Sequence, residues 1–306
     1  MPQLVFRGRR LTRDRALIMG IINRTPDSFY DNGANWDPST ALDSVACMVD
    51  AGADVIDIGG VKAGVGPEVT VAEEISRVVP FIETVRSRFS EIVISTDTWR
   101  AEVGRAAAKA GADLINDTWA GADPELAHVA AEFGCGYVCS HTGGVVPRTD
   151  PTPEGVKYGD VVADVIETTT SKAESLVALG VPREGILIDP THDFGKTTAQ
   201  GLELMRRTPE LVATGWPVLM ALSRKDFVGE TLDLPVDERL EGTLAATSIA
   251  AMAGAAMFRV HDIEATRRVL DMVASIRGDR APAAPLRGLE PKAPNVETSD
   301  PQDVTL

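Results

Sequence analysis

The chain has 306 residues, 44% of them apolar, and its 30 Lys and Arg stand against 45 Asp and Glu for a net charge of −15. That balance excludes a broad basic face for nucleic acid, so any anionic ligand must be held by a few local cations. No apolar run reaches the roughly 18 residues of a membrane span and no signal peptide is evident, so a soluble, cytoplasmic protein is expected. Cys47, Cys135 and Cys139 lack CxxC or metal-ligand spacing and read as small buried hydrophobes.

In chain order, residues 1–15, with LVFRGRRL, predict a small hairpin at the bottom of the fold. Eight apolar runs then read as strands: ALIMGIIN (16–23), ADVIDIGG (53–60), EIVISTD (91–97), ADLIND (112–117), GYVCSH (136–141), GILID (185–189), PVLMALS (217–223) and AAMFRV (255–260). Amphipathic helical stretches separate them, such as DPSTALDSVACMVDAG with its Ser/Asp-rich start and Gly stop. The strands are too uniformly apolar to have a wet face, which implies parallel strands buried on both sides. An α/β fold of the (β/α)8 TIM-barrel type over residues 16–277 follows, with its site at the strand C-terminal ends. An open doubly wound sheet fits less well, because no GxGxxG follows the first strand. Residues 278–306 are rich in Pro, Ala and acidic residues and predict a disordered tail.

Each apolar run ends in a polar tip. Asp97, Asn116, Asp189 and Lys225 offer carboxylates, an amide and an ammonium, a set able to read the edge of a flat heterocycle carrying amino and oxo groups. Any one such Asp has about even odds of merely capping a helix; the whole set converging on one mouth does not. Arg259 and His261 alternate along a strand and share a face. With Asn23 as an oxygen ligand for a hard cation, they suggest a pyrophosphate and Mg²⁺ site.

From about Leu17 to Ile276 the ordered motifs IMGIINxTPDSF, DIGG, Thr96-Asp97-Thr98, IND, ILIDP, FGKT, SRK and RVHD resemble the dihydropteroate synthase family. The resemblance implies a homodimeric barrel in which p-aminobenzoate attacks a dihydropterin methyl pyrophosphate and expels pyrophosphate. It implies that Asp97, Asn116, Asp189 and Lys225 hold the pterin, with Phe194 against the ring. It also places Arg259, His261 and Asn23 at the pyrophosphate and Mg²⁺, and Asp31 near the attacking amine; Asp31 and Lys225 are the expected catalytic positions.

The chain departs from that pattern at chemical positions. The family's second loop reads GGESTRPG, whereas here Gly59-Gly60-Val61-Lys62-Ala63-Gly64 puts Ala63 and Gly64 in place of Thr and Arg. One lost charge-assisted Arg contact removes about 1.5–3 kcal/mol, or one to two decades in rate if made only in the transition state. Arg24 beside Asn23 is expected to repel Mg²⁺ or replace it. Asp193 replaces a Gly and is expected to crowd or repel the heterocycle. Asp226 follows Ser223-Arg224-Lys225, near where the second substrate's carboxylate belongs. Ser140 stands where the family often has Met, and His141 is placed at the ligand's border.

The expected protein is therefore a dihydropteroate synthase homologue that keeps a pterin-like ligand and has little or no synthase activity. Alternatives are a working synthase using Lys62 and Arg24, a pterin-dependent methyltransferase, and a non-catalytic binding protein. The kept Arg259-Val260-His261 argues against the methyltransferase, which needs no pyrophosphate cradle.

Overall fold

In the computed structural model, which describes residues 3–12, 14–25, 36–62, 64–149 and 157–284, eight parallel strands curl into a barrel surrounded by helices. A hairpin of β1 (Leu4–Phe6) and β2 (Arg9–Leu11) comes first. The barrel then runs β3 (Leu17–Asn23), α1 (Pro38–Ala51), β4 (Val55–Gly59), α2 (Val71–Arg88), β5 (Val93–Asp97), α3 (Ala101–Ala110), β6 (Leu114–Asp117), α4 (Glu125–Phe133) and β7 (Gly136–Ser140). It continues with α5 (Val161–Leu179), β8 (Ile186–Asp189), α6 (Thr198–Arg206), α7 (Thr208–Ala213), β9 (Leu219–Met220), α8 (Asp226–Leu232), α9 (Leu240–Ala253), β10 (Met257–Val260) and α10 (Ile263–Arg277). Neighbouring strands follow the order β8-β7-β6-β5-β4-β3-β10-β9. A parallel bridge between Ile188 and Val218, with the Ile188 N–H donating to the Pro217 carbonyl at 2.9 Å, closes the ring. All eight expected strands are present, and closure leaves no free sheet edge.

The local signals behave as the sequence suggests. Asp37 caps α1 by accepting from the Ser39 and Thr40 amides, Pro38 opens the first turn, and Gly52 ends the helix at φ 101°. Cys135 and Cys139 are buried, but Cys47 on α1 is exposed, contrary to expectation. It falls on the outward stripe of an amphipathic helix, where nothing selects for burial. Residues 285–306 of the expected tail lie outside the described residues; before them, Arg280 pairs with Asp14 and Asp271 at 3.0 and 3.3 Å.

Strand alternation divides the core in two. Inward residues such as Met19, Val55, Val93, Val138, Leu187 and Met257 form one buried cluster with Leu4 and Phe6 of the hairpin, which plugs the bottom. Residues of opposite parity, such as Ile18, Ile56, Ile94 and Phe258, pack between the strands and the helices. The plug fits closely at Gly136, where a Cβ would collide with the Phe6 ring and lie 2.6 Å from the Gly185 carbonyl oxygen. Gly136→Ala is therefore expected to cost about 1–3 kcal/mol by overpacking. Denaturant unfolding checks this, and an unchanged midpoint would refute the close fit.

Candidate functional site at the barrel mouth

Each inward row of apolar residues ends in a polar one. Leu17, Met19 and Ile21 lead to Asn23; Val55 leads to Asp57; Val93 and Ser95 lead to Asp97; Leu187 leads to Asp189; Met257 leads to Arg259 and His261. Above the plug, the barrel thus opens into a cavity of about 240 Å³ whose lining includes Asn23, Asp97, Asp189, Phe194, Lys225, Arg259 and His261. Seven of the sequence-predicted residues therefore meet at one place. Asn116 sits beneath them, fully buried, its amide donating to Asp57 Oδ2 at 3.1 Å. Asp31 and Ala63 lie outside the described residues, while Gly64 and Lys62 of the second loop line the cavity.

Arg259 ties the walls together. Its Nε donates to Asp57 Oδ2 at 2.6 Å and its Nη2 to Asp97 Oδ2 at 2.9 Å. Burial opposes the guanidinium charge, but Asp57 and Asp97 outweigh it and raise its pKa. The Asp97 carboxyl, pushed up by burial to about 7 against the pull of Arg259, also accepts from the Thr118 hydroxyl at 2.8 Å. Burial likewise raises Asp189, which accepts from the Thr191 amide at 2.7 Å. It lowers Lys225, whose ammonium donates to the His192 carbonyl and lies 5.4 Å from the Phe194 ring centre. Burial, then Arg259, lowers His261 to about 3, so its ring is neutral at pH 7, with Nδ1 3.0 Å from the Ser223 hydroxyl. Carboxylates that accept, an ammonium that donates and one apolar ring face can together bind a flat, amino-substituted heterocycle.

Two expectations need correction. Arg24 is one residue out of phase with Asn23 and points outward, its guanidinium 4.7 Å from the Phe81 ring centre and donating to the Trp36 carbonyl at 3.0 Å. It neither repels nor replaces a cation at the mouth. His141 is out of phase with Ser140 in the same way. Its Nε2 lies 2.7 Å from Asp164 on α5, and burial, reinforced by Lys196, lowers it to about 4, so it does not border the cavity. Asp193 lines the cavity, and its carboxylate accepts from the Asp226 and Phe227 amides at 2.6 and 3.2 Å. Asp226, on the cavity rim, is partly neutralised by Arg239 at 2.8 Å.

Three residues went unassigned in the sequence. Asp57 is the fully buried anchor of Arg259, and strand parity alone would have found it. Thr118 continues the inward row Leu114–Asn116. Lys196, in the FGKT motif, is buried and donates to the carbonyls of His141, Thr191 and Phe194, fixing the loop that carries Phe194. Trp119 meets Phe194 edge-on, ring centres 5.2 Å apart, and holds it from the other side.

A family model described as pterin binding enzyme matches residues 19–261. The chain belongs to the pterin-binding enzyme family. The inactive dihydropteroate synthase 2 of Mycobacterium leprae is 60% identical to it over 291 residues, spanning 94% of this chain and 99% of that one. A solved dihydropteroate synthase of Yersinia pestis, in a sulfonamide drug complex, superposes with a TM-score of 0.85 at 36% identity, covering 91% of this chain and 100% of its own. A solved Mycobacterium tuberculosis structure is 52% identical, with a TM-score of 0.71 over 91% of this chain and 99% of its own.

The raised Asp97 pKa gives a signed test. Between its ordinary value of 3.8 and about 7, the folded protein keeps a proton that the unfolded chain has released, so this group's contribution to stability falls as pH rises through that window. Asp97→Asn removes the titration. The stability of the wild type relative to the variant, read from denaturant unfolding, is therefore expected to decline from pH 4 to pH 7. A constant difference would contradict the assignment.

Proposed function

We propose that this dihydropteroate synthase homologue binds a pterin-like ligand at the barrel mouth and turns it over slowly or not at all. The observation that carries the reading is the contrast between two sides of one cavity: Asp97, Asp189, Phe194 and Lys225 converge on it, while the second loop contributes Gly64, where the resemblance to the dihydropteroate synthase pattern implies an Arg. In this reading Asp97 and Asp189 accept from the amino edge of the heterocycle, Lys225 donates to its oxo group, and Phe194 covers one face. Arg259 and the neutral His261 face the pyrophosphate. With the fork of a loop Arg missing, less of the charge developing on the leaving group is stabilised, and a single ammonium on Lys62 cannot copy that geometry.

Among the described residues no group of three or more His, Cys, Asp or Glu side chains is placed to hold a metal. Asn23 lines the cavity, and its amide oxygen would suit a Mg²⁺ that takes its other ligands from pyrophosphate and water. Such an ion would help neutralise the pyrophosphate, so Mg²⁺ is expected to strengthen binding of the pyrophosphate form alone. A homodimer is part of the proposal: Ile249 and Met252 on α9 and Met272 and Ile276 on α10 are exposed on two helices that pack together. No helix among the described residues is long and apolar enough to cross a membrane.

Titration of the purified protein with dihydropterin pyrophosphate tests the reading. Saturable binding is expected, weakened at least about tenfold in Asp189→Asn by loss of one charged hydrogen-bond partner. Complementation of a folate auxotroph lacking its own synthase is expected to fail. Absent binding would overturn the pterin site, and healthy growth would overturn the claim of impaired turnover.

A further inference from the structure

The end of the cavity nearest α8 is arranged around Asp193. This residue holds a backbone φ of 71°, in the left-handed region that glycine adopts freely and Asp only at a cost. The conformation aims the carboxylate at the first turn of α8, where both oxygens accept backbone N–H groups. Two charge-assisted bonds pin the group, so it cannot swing aside to admit a ligand. Asp193 and Asp226 both line the cavity, which therefore carries two carboxylates at this end.

The nearest donors around them already carry bonds. The Asp226 and Phe227 amides bond to Asp193, and the Lys225 ammonium bonds to the His192 carbonyl and gives a further N–H to the pterin's oxo group in the reading above. Arg239 bonds to Asp226 and to the carbonyls of Leu234 and Arg224. Arg259 is held by Asp57 and Asp97. A carboxylate entering beside Asp193 would find the α8 amides already taken and would face a fixed like charge. An uncharged ring carrying an amine meets neither penalty, and Phe194 offers it an apolar face.

We propose that Asp193 sets the charge specificity of this end of the site: its carboxylate occupies the position that an anionic second substrate needs, so the cavity takes an uncharged arylamine in preference to a carboxylate-bearing one. The inference rests on reading the cup as a pterin site, and it names the class of partner that the bound pterin meets. Asp193 acts here as a built-in stand-in for the missing anion.

Calorimetric titrations of the full-length protein separate the two readings. The first uses 6-hydroxymethylpterin, which carries no leaving group; its failure to bind counts against the pterin site alone. The second compares 4-aminobenzamide with 4-aminobenzoate, run with and without that pterin. In the wild type the amide is expected to bind at least tenfold more tightly than the acid. In Asp193→Asn, which keeps an oxygen for the helix amides, the ratio is expected to fall within threefold. Asp193→Gly, which relieves the backbone strain, is expected to do the same and guards against a folding defect in the first variant. The proposal is overturned if wild type binds the acid as tightly as the amide, through Lys62 or otherwise. An unchanged ratio in both variants, or no binding of either arylamine, overturns it equally.

Discussion

One guanidinium between two buried carboxylates organises the mouth of this barrel. Arg259 reaches from β10 past β3 to Asp57 on β4 and Asp97 on β5, so a single side chain fixes three walls of the cavity at once. Each charge alone would be costly to bury, and removing one partner leaves the others uncompensated. The strut therefore preorganises the site before any ligand arrives. Thr118 takes the second oxygen of Asp97 and Asn116 shares Asp57 Oδ2 with Arg259, which extends the network to β6 and the loop after it, while Asp57 Oδ1 is left without a hydrogen-bond partner among the described residues.

Much of this was legible in the sequence. Eight apolar runs separated by helical stretches gave the barrel, because parallel strands buried on both faces have no polar alternation to hide them. The motif residues Asp97, Asp189, Phe194, Lys225, Arg259 and His261 converge as expected. The misplacements share one physical cause. A strand tip is not one position but two, alternately inside and outside the ring, and Arg24 and His141 fall on the outer parity. Counting in twos from Met19 or Val138 would have turned them outward and would have promoted Asp57 instead.

What the sequence could not give was how non-local charges resolve. Asp193 and Asp226 read as bare carboxylates beside a ligand, but their partners come from elsewhere in the chain: backbone amides of α8 for the first, Arg239 for the second. Lys196 is similar, since its three carbonyl partners lie on loops after two different strands. The result is a cavity whose two sides differ in chemistry. One side gathers Asp97, Asp189, Phe194 and Lys225 around the Arg259 strut. The other half presents Gly64 from the second loop and, at the end nearest α8, the carboxylate of Asp193 bonded to the Asp226 amide.

A single-turnover experiment examines that division most directly. Protein in excess is mixed with labelled dihydropterin pyrophosphate, Mg²⁺ and saturating p-aminobenzoate, and bound ligand and released pyrophosphate are followed together. The expected result is a pterin fully bound but intact over times in which the Yersinia pestis synthase converts all of it. Stoichiometric release of pyrophosphate with dihydropteroate on the same timescale, or a pterin that stays free in solution, would contradict the account.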